Sequence, residues 1–344
     1  MGATYDRTVA RSSVLSRIPP TPPRLLRGLA IATVVGQAGI AVTGAVVRVT
    51  GSGLGCPTWP ECFPGSLVPT PHPEVAALNQ WIEFGNRLLT FVLVLAAGAA
   101  LLAALNSRPR PRRLVRLAVA QPLGIVAQAL IGGYVVLSGL VWWSVAVHFL
   151  TSMVFTWLAV LLVAAATGGD GPPRPLVPRP VRALIATSAA VLAALLVAGT
   201  FVTAAGPHAG DAATPRLAVE VQTVAQLHAD LLFGYLGLLV GLGFALRAVA
   251  APPGVLRRYA LLVAVVLLQG VLGSVQYALG VPEALAALHV LGAALVTVAA
   301  AALWAGTVER PARPTAAGPP AGDAPGTDRP RAEPVLADGA RTGG

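Results

Sequence analysis

Lysine is absent from this 344-residue chain, so all 24 of its basic residues are arginine. That bias matches a composition also rich in Ala, Gly, Pro and Val, and it says little about function. Charge of either sign is scarce at 11% of residues, against 55% hydrophobic residues and a mean hydropathy of +0.73. So little charge excludes a soluble domain and leaves a polytopic membrane protein. Cysteine occurs only twice, too seldom for a thiolate metal centre without other ligands nearby. A net charge of +10 in a soluble protein would suggest nucleic acid. Here the arginines flank apolar runs, so the charge reads as membrane orientation and nucleic acid is not an expected partner.

Eight apolar spans are predicted: 26–46, 79–104, 114–137, 142–166, 180–204, 218–246, 256–279 and 283–306. Each is near the length of about 20 residues that crosses a bilayer. Arg7, Arg11, Arg17, Arg24 and Arg27 precede or open the first span. Arg108, Arg110, Arg112, Arg113 and Arg116 lie around the link between the second and third, and further arginines mark the links four-to-five and six-to-seven. The alternate loops are poor in arginine. The positive-inside rule then puts both termini in the cytoplasm of a multi-pass cell-membrane protein. Residues 1–25 read as a flexible cytoplasmic segment, too long and proline-rich before the first apolar run to be a cleaved signal peptide. Residues 167–179 read as a cytoplasmic linker, and 307–344, rich in Pro, Ala, Gly and Asp, as a disordered tail.

In this orientation the loop 47–78 is external, and it holds both cysteines, in Gly55-Cys56-Pro57-Thr58-Trp59-Pro60-Glu61-Cys62. Two thiols six positions apart in an oxidising compartment favour a disulfide. A metal site would have only His72 to add. A disulfide here is either structural or redox-active, and spacing leaves both open.

The chain is also internally repeated. Gln128 precedes His148 by twenty positions, as Gln269 precedes His289. Gly44 to Gly51 has the spacing of Gly199 to Gly206, and Gln80 to Asn86 that of Gln222 to His228. Four corresponding positions therefore hold Asn86, His148, His228 and His289, about seven, six, ten and six residues into their spans. At 1.5 Å per residue all lie roughly 10–15 Å below the outer surface. A single intramembrane histidine is by default a hydrogen-bonding core residue, whereas two at matched repeat positions, on spans expected to face each other, suit the two sides of one haem iron. His228 and His289 satisfy this. In the first half His148 has Asn86 opposite it, and an amide is a poor iron ligand. That asymmetry suggests a reaction site in the first half and a redox relay in the second.

Glu83, Asn86 and Arg87 share one helix face. A carboxylate inside the bilayer must be paired, neutral or functional. Glu83 thus reads both as the partner of Arg87 and as a group that accepts a proton or stabilises positive charge. Arg87 and Arg48 are candidate partners for haem propionates. Gln128 and Gln269 suit interhelical hydrogen bonding, and His72 and His208 suit loop packing. On these residues alone, an electron-transferring cytochrome b and a haem-carrying chaperone remain alternatives to an enzyme.

Three segments sharpen the choice: Arg48-Val-Thr-Gly-Ser-Gly-Leu-Gly-Cys56-Pro-Thr-Trp-Pro-Glu-Cys62, Glu83-Phe-Gly-Asn86-Arg87, and Gly206-Pro-His-Ala-Gly-Asp211. Together with the repeated histidine helices they resemble the haem A synthase family over residues 26–306. The resemblance implies an all-α integral membrane protein, with eight transmembrane helices in two pseudo-symmetric four-helix bundles, 26–166 and 180–306. It implies an oxidoreductase that converts the C8 methyl of haem O to a formyl group by successive hydroxylations, for cytochrome oxidase cofactor assembly. The C-terminal half would bind haem b through His228 and His289. The N-terminal half would take haem O, with His148 on its iron, Asn86, Arg87 and Arg48 around it, and Glu83 as the catalytic carboxylate. Cys56 and Cys62 match the family's extracytoplasmic disulfide. Expected partners are haem O synthase, oxidase assembly factors and an electron partner of unknown identity. Many members have Glu-x-x-His-Arg where this chain has Glu83-x-x-Asn86-Arg87, so two-histidine ligation in the first half is not expected.

Overall fold

Proline sets most helix starts in this protein. The computed structural model describes residues 19–312; the rest of the N-terminal segment and 313–344 of the expected tail lie outside the described residues. Helix α1 is Pro23–Val49, α2 Ala77–Leu105, α3 Arg112–Leu137 and α4 Trp142–Thr167. Helix α5 is Arg179–Ala205, α6 Val221–Ala248, α7 Pro253–Ala278 and α8 Glu283–Gly306. Pro22, Pro111, Pro178, Pro252 and Pro282 are the residues just before α1, α3, α5, α7 and α8. Proline lacks the N–H that the first turn leaves unpaired, and its fixed φ admits the chain to the helix. All eight helices are long and apolar enough to cross a bilayer, which makes this an all-α multi-pass membrane protein.

The spans agree closely with the sequence pattern, with one difference that affects the site. Helix α6 begins at Val221, three residues later than its apolar run. Leu217 belongs to the preceding loop, donating its N–H to the Ala204 carbonyl at 3.0 Å. That shift moves His228 to seven residues past the start of α6, level with His148 and His289, each six past the start of its own helix.

Within the bundle α1 packs on α2 and α4, and α3 packs on α2 and α4. Helix α5 packs on α6 and α7 on α8, while α8 also reaches α1, α4 and α5. Lipid tails are as apolar as leucine, so close packing rather than hydrophobicity must join these helices. Small residues provide it: Ala30, Ala97, Ala100, Ala104 and Ala118 are all buried. The ring of Phe155 rests on Gly124, and Tyr259 lies over Gly243 while donating its hydroxyl to the Leu239 carbonyl at 2.9 Å. The second half has larger core residues, among them Leu192, Tyr235, Leu242, Leu262 and Leu303.

The hairpins α3–α4 and α7–α8 repeat bond for bond. After α3, Gly139 and Leu140 both have positive φ (68° and 59°); after α7, so do Gly280 and Val281 (75° and 62°). Leu140 N–H donates to Val135 and Val281 N–H to Gln276, at 2.9 and 2.8 Å. A non-glycine residue in the left-handed region is costly, and its occurrence at equivalent turns shows the turn geometry is held by its surroundings.

At the opposite end, residues after α8 turn back on the linker. Strand β1 (Arg174–Pro175) pairs antiparallel with β2 (Val308–Glu309). Gly169 and Gly171 donate to the carbonyls of Arg310 and Pro311 at 2.7 and 2.9 Å. Residues 307–312 are therefore ordered against the linker, because their backbone groups find partners there.

Gly124→Val should lower the unfolding midpoint in detergent, by about 1–3 kcal/mol of overpacking against Phe155. Gly28→Ala, where an added Cβ meets nothing within 4 Å, should leave the midpoint unchanged or slightly raised.

Candidate functional site

Glu83 lies in the second turn of α2, buried to 5% exposure. One turn later Arg87 faces it, as positions four apart must. The guanidinium Nη2 meets Glu83 Oε1 at 2.6 Å and Nε reaches the same oxygen at 3.2 Å. The other oxygen, Oε2, accepts the backbone N–H of Cys56 at 2.8 Å. Arg87 spends its remaining donors on the same loop, giving Nη2 to the Cys56 carbonyl at 2.7 Å and Nη1 to the Glu61 carbonyl at 3.2 Å. The ion pair expected from spacing is present, and it also anchors the Cys56–Cys62 loop.

Cys56 and Cys62 are joined in a disulfide with no exposed surface. They form a small apolar core with Phe63, against which Val75 and Phe84 pack. Gly55 lies where a Cβ would collide with the Asn79 carbonyl, so the loop can press onto the start of α2 only with glycine there. From the middle of the disulfide ring Trp59 reaches α3 and lies over Gly133. His72 stacks on Phe63 with ring centres 4.9 Å apart. Arg48, at the last turn of α1, ties the second glycine-rich loop down, donating Nε to the His208 carbonyl at 2.7 Å and Nη2 to Thr203 at 2.9 Å. Gly53 adds a 2.8 Å bond to the Gly210 carbonyl, and His208 reaches the Val281 carbonyl at 2.8 Å.

Below this lid lie the repeated positions. The helices of each expected pair do not stand side by side: α2 packs on α1 and α3, and α6 chiefly on α5. In the second half the two histidine rings meet across the bundle. The ring centres of His228 and His289 are 6.3 Å apart, with planes at 57°. A metal–imidazole bond is about 2 Å and the ring centre lies about 1 Å beyond the nitrogen, so two imidazoles on one iron have centres about 6 Å apart. The pair fits that group.

Each histidine is seated the same way. The ring of His228 rests on Gly199, that of His289 on Gly273 and that of His148 on Gly132. The glycines leave room for the rings between helices, where a side chain would push them out. Gln269 donates to the His289 carbonyl at 2.9 Å, and Gln128 to the His148 carbonyl at 3.2 Å and to Ser152. Nδ1 of His148 and of His289 is buried without a hydrogen-bond partner, an unmet polar group in an apolar setting. Asn86 differs: its Oδ1 meets the Thr43 hydroxyl of α1 at 2.7 Å. Thr43 is the neighbour of Gly44 in the repeat, and that position was the available signal for it. Among the described residues no group of three or more His, Cys, Asp or Glu is placed to hold a metal ion. Asp230 pairs with Gln226 on the exposed face of α6 at 2.7 Å, away from these groups.

The profile of the cytochrome oxidase assembly protein family, COX15-CtaA, matches residues 27–301. The chain belongs to this family. Among curated relatives, a protein named Heme A synthase from Lysinibacillus sphaericus is 36% identical over 143 residues, covering 41% of this chain and 44% of that protein. Heme A synthase from Geobacillus kaustophilus is 32% identical over 128 residues, 37% of this chain and 38% of that protein. Heme A synthase from Halalkalibacterium halodurans is 29% identical over 182 residues, 52% of this chain and 59% of that protein. The chain thus spans about half the length of the curated relatives it matches. The COX15-CtaA match includes the Cys loop, Glu83, Asn86, Arg87 and all three helix histidines.

Arg87→Ala should strand the Glu83 carboxylate and release the loop, costing about 3–5 kcal/mol in an unfolding titration. Arg87→Lys should recover little, because an ammonium cannot match the forked pattern of four contacts.

Proposed function

We propose that this chain is a haem A synthase, an oxidoreductase that converts the C8 methyl of haem O to a formyl group. The observation that carries this is the broken pair: two facing histidines at the spacing of one iron in the second half, and one histidine with an amide in the first. The names of its relatives and the description of its family support the same reading.

In this reading the halves divide the work. Residues 180–306 would hold haem b through His228 and His289, and that group would supply one-electron transfer when bound. Residues 26–166 hold haem O, with His148 as the strong iron ligand and Asn86 on the other face. Oxidising a methyl conjugated with the ring to a formyl group takes its oxygen from water and releases protons and electrons, the electrons leaving to the electron partner, while positive charge spreads over the macrocycle. Glu83 is the group placed to answer that charge or take the proton. Arg87 and the Cys56 N–H hold its carboxylate in one orientation, which removes the cost of arranging it during reaction. Arg87 and Arg48 serve the loops first, and their positive charge is available to propionates at the same rim. The protein works in the cell membrane with both termini cytoplasmic and the Cys loop outside. Haem O synthase and oxidase assembly factors are its proposed partners.

Membranes bearing the chain and a source of haem O should yield haem A on pigment extraction. Absence of haem A, with the two-histidine spectrum intact, would assign the chain to electron transfer or haem carriage instead. Glu83→Gln should cut haem A by roughly a hundredfold or more and accumulate haem O or a hydroxylated intermediate, with the two-histidine spectrum retained. Unchanged haem A in that variant would remove Glu83 from the chemistry. His289→Ala should lose that spectrum.

A further inference from the structure

The Cys56–Cys62 ring touches both walls of the proposed substrate site. On α2, the Cys56 N–H holds Glu83 at 2.8 Å, and the Cys56 carbonyl takes Arg87 at 2.7 Å. On α3, Trp59 covers Gly133 so closely that a Cβ added there would come within 2.6 Å of the indole. The preceding residue, Gly132, is the seat of the His148 ring, which would lie 3.3 Å from an added Cβ. One short covalent ring therefore spans from the carboxylate on one helix to the backing of the histidine on the opposite side.

The disulfide itself is out of reach. Exchange requires a thiolate to attack sulfur, and access decides the rate. Both cysteines have no exposed surface, under Phe63, Val75 and Phe84. A disulfide that cycled with a partner would need at least one sulfur open to it.

We propose that the Cys56–Cys62 ring is a positioning brace for the reaction, and that the cysteine pair carries no electrons during turnover. It acts through Glu83 on one side and, by way of Trp59 and Gly133, through the His148 wall on the other. Cys56, Cys62 and Trp59 are positioning residues, and this inference rests on the reading of Glu83 and His148 as substrate-site groups. Breaking the ring at either end should misplace the carboxylate relative to the substrate, and a shift of about 1 Å is enough to cost two orders of magnitude in rate.

The test uses the purified full-length protein supplied with haem O, measuring kcat, KM and the ratio of hydroxylated intermediate to haem A. Trp59→Ala and Gly133→Ala leave the disulfide in place and should each lower kcat roughly tenfold to a hundredfold with little change in KM. Both should accumulate the intermediate as Glu83→Gln does, with the spectrum of the His228–His289 pair unchanged. Trp59→Phe should recover most of the rate, and the double variant Cys56→Ser/Cys62→Ser should share the product pattern of Trp59→Ala. Folded wild-type protein treated with dithiothreitol should keep its rate and show no maleimide-reactive thiol until denatured. Wild-type product ratios in Trp59→Ala and Gly133→Ala would overturn the brace. Maleimide-reactive Cys56 or Cys62 thiols appearing in the folded protein during turnover, with no added reductant, would overturn the claim that the pair carries no electrons. A wild-type chain that makes no haem A would overturn the functional reading and the brace together, whereas haem A from the wild type with these variants unaffected would overturn the brace alone.

Discussion

A carboxylate placed among apolar helices is tolerated only with donors on its oxygens, and Glu83 is the one buried acid among the described residues. Its partners come from two places, Arg87 one turn along α2 and the Cys56 backbone from the loop above. The same arginine holds two carbonyls of that loop, so satisfying the charge also fixes the lid. The lid in turn carries Trp59 to α3 and, through Gly53, joins the second glycine-rich loop. Local electrostatics thus determine how the two glycine-rich loops sit over the bundle, and they fix the carboxylate just beneath them.

Beneath that lid the protein uses one device three times: a histidine ring seated on a glycine of a neighbouring helix. The α3–α4 and α7–α8 hairpins share the turn, the glutamine bond to the histidine carbonyl and the glycine seat, residue for residue. The difference lies on the facing helices. Where α6 presents His228 against Gly199, α2 presents Asn86 bonded to Thr43. A hydroxyl beside an amide is a stable pairing in an apolar interior, so Asn86 costs the bundle little at a position whose counterpart is a histidine. In the proposed reading, one scaffold then holds one ring firmly and leaves another accessible on one face.

Much of this was legible in the sequence because it is local. Helix extents follow from apolar runs of bilayer-crossing length, the Glu83–Arg87 pair from a spacing of four, and the disulfide from two cysteines in one loop. The start of α6 was set three residues early because residues 218–220 belong to a loop whose Leu217 bonds to α5, which hydropathy alone does not reveal. Contacts between distant segments were not legible: Arg48 with residues 203 and 208, Trp59 with Gly133, and Thr43 with Asn86. Each joins residues whose separation in sequence has no periodic signature. The ordering of residues 307–312 escaped for the same reason, since their composition resembles a tail and only the linker opposite supplies their hydrogen bonds.

The division between a closed pair and an open site is tested most directly by electron paramagnetic resonance of the oxidised, purified protein titrated with haem O. The expected result is one low-spin signal of two-imidazole ligation that survives His148→Ala and vanishes in His289→Ala. A second, high-spin signal should grow with added haem O and be lost in His148→Ala alone. Two equivalent low-spin signals, or the loss of both in a single variant, would contradict the division of the two halves into a haem clamp and a reaction site.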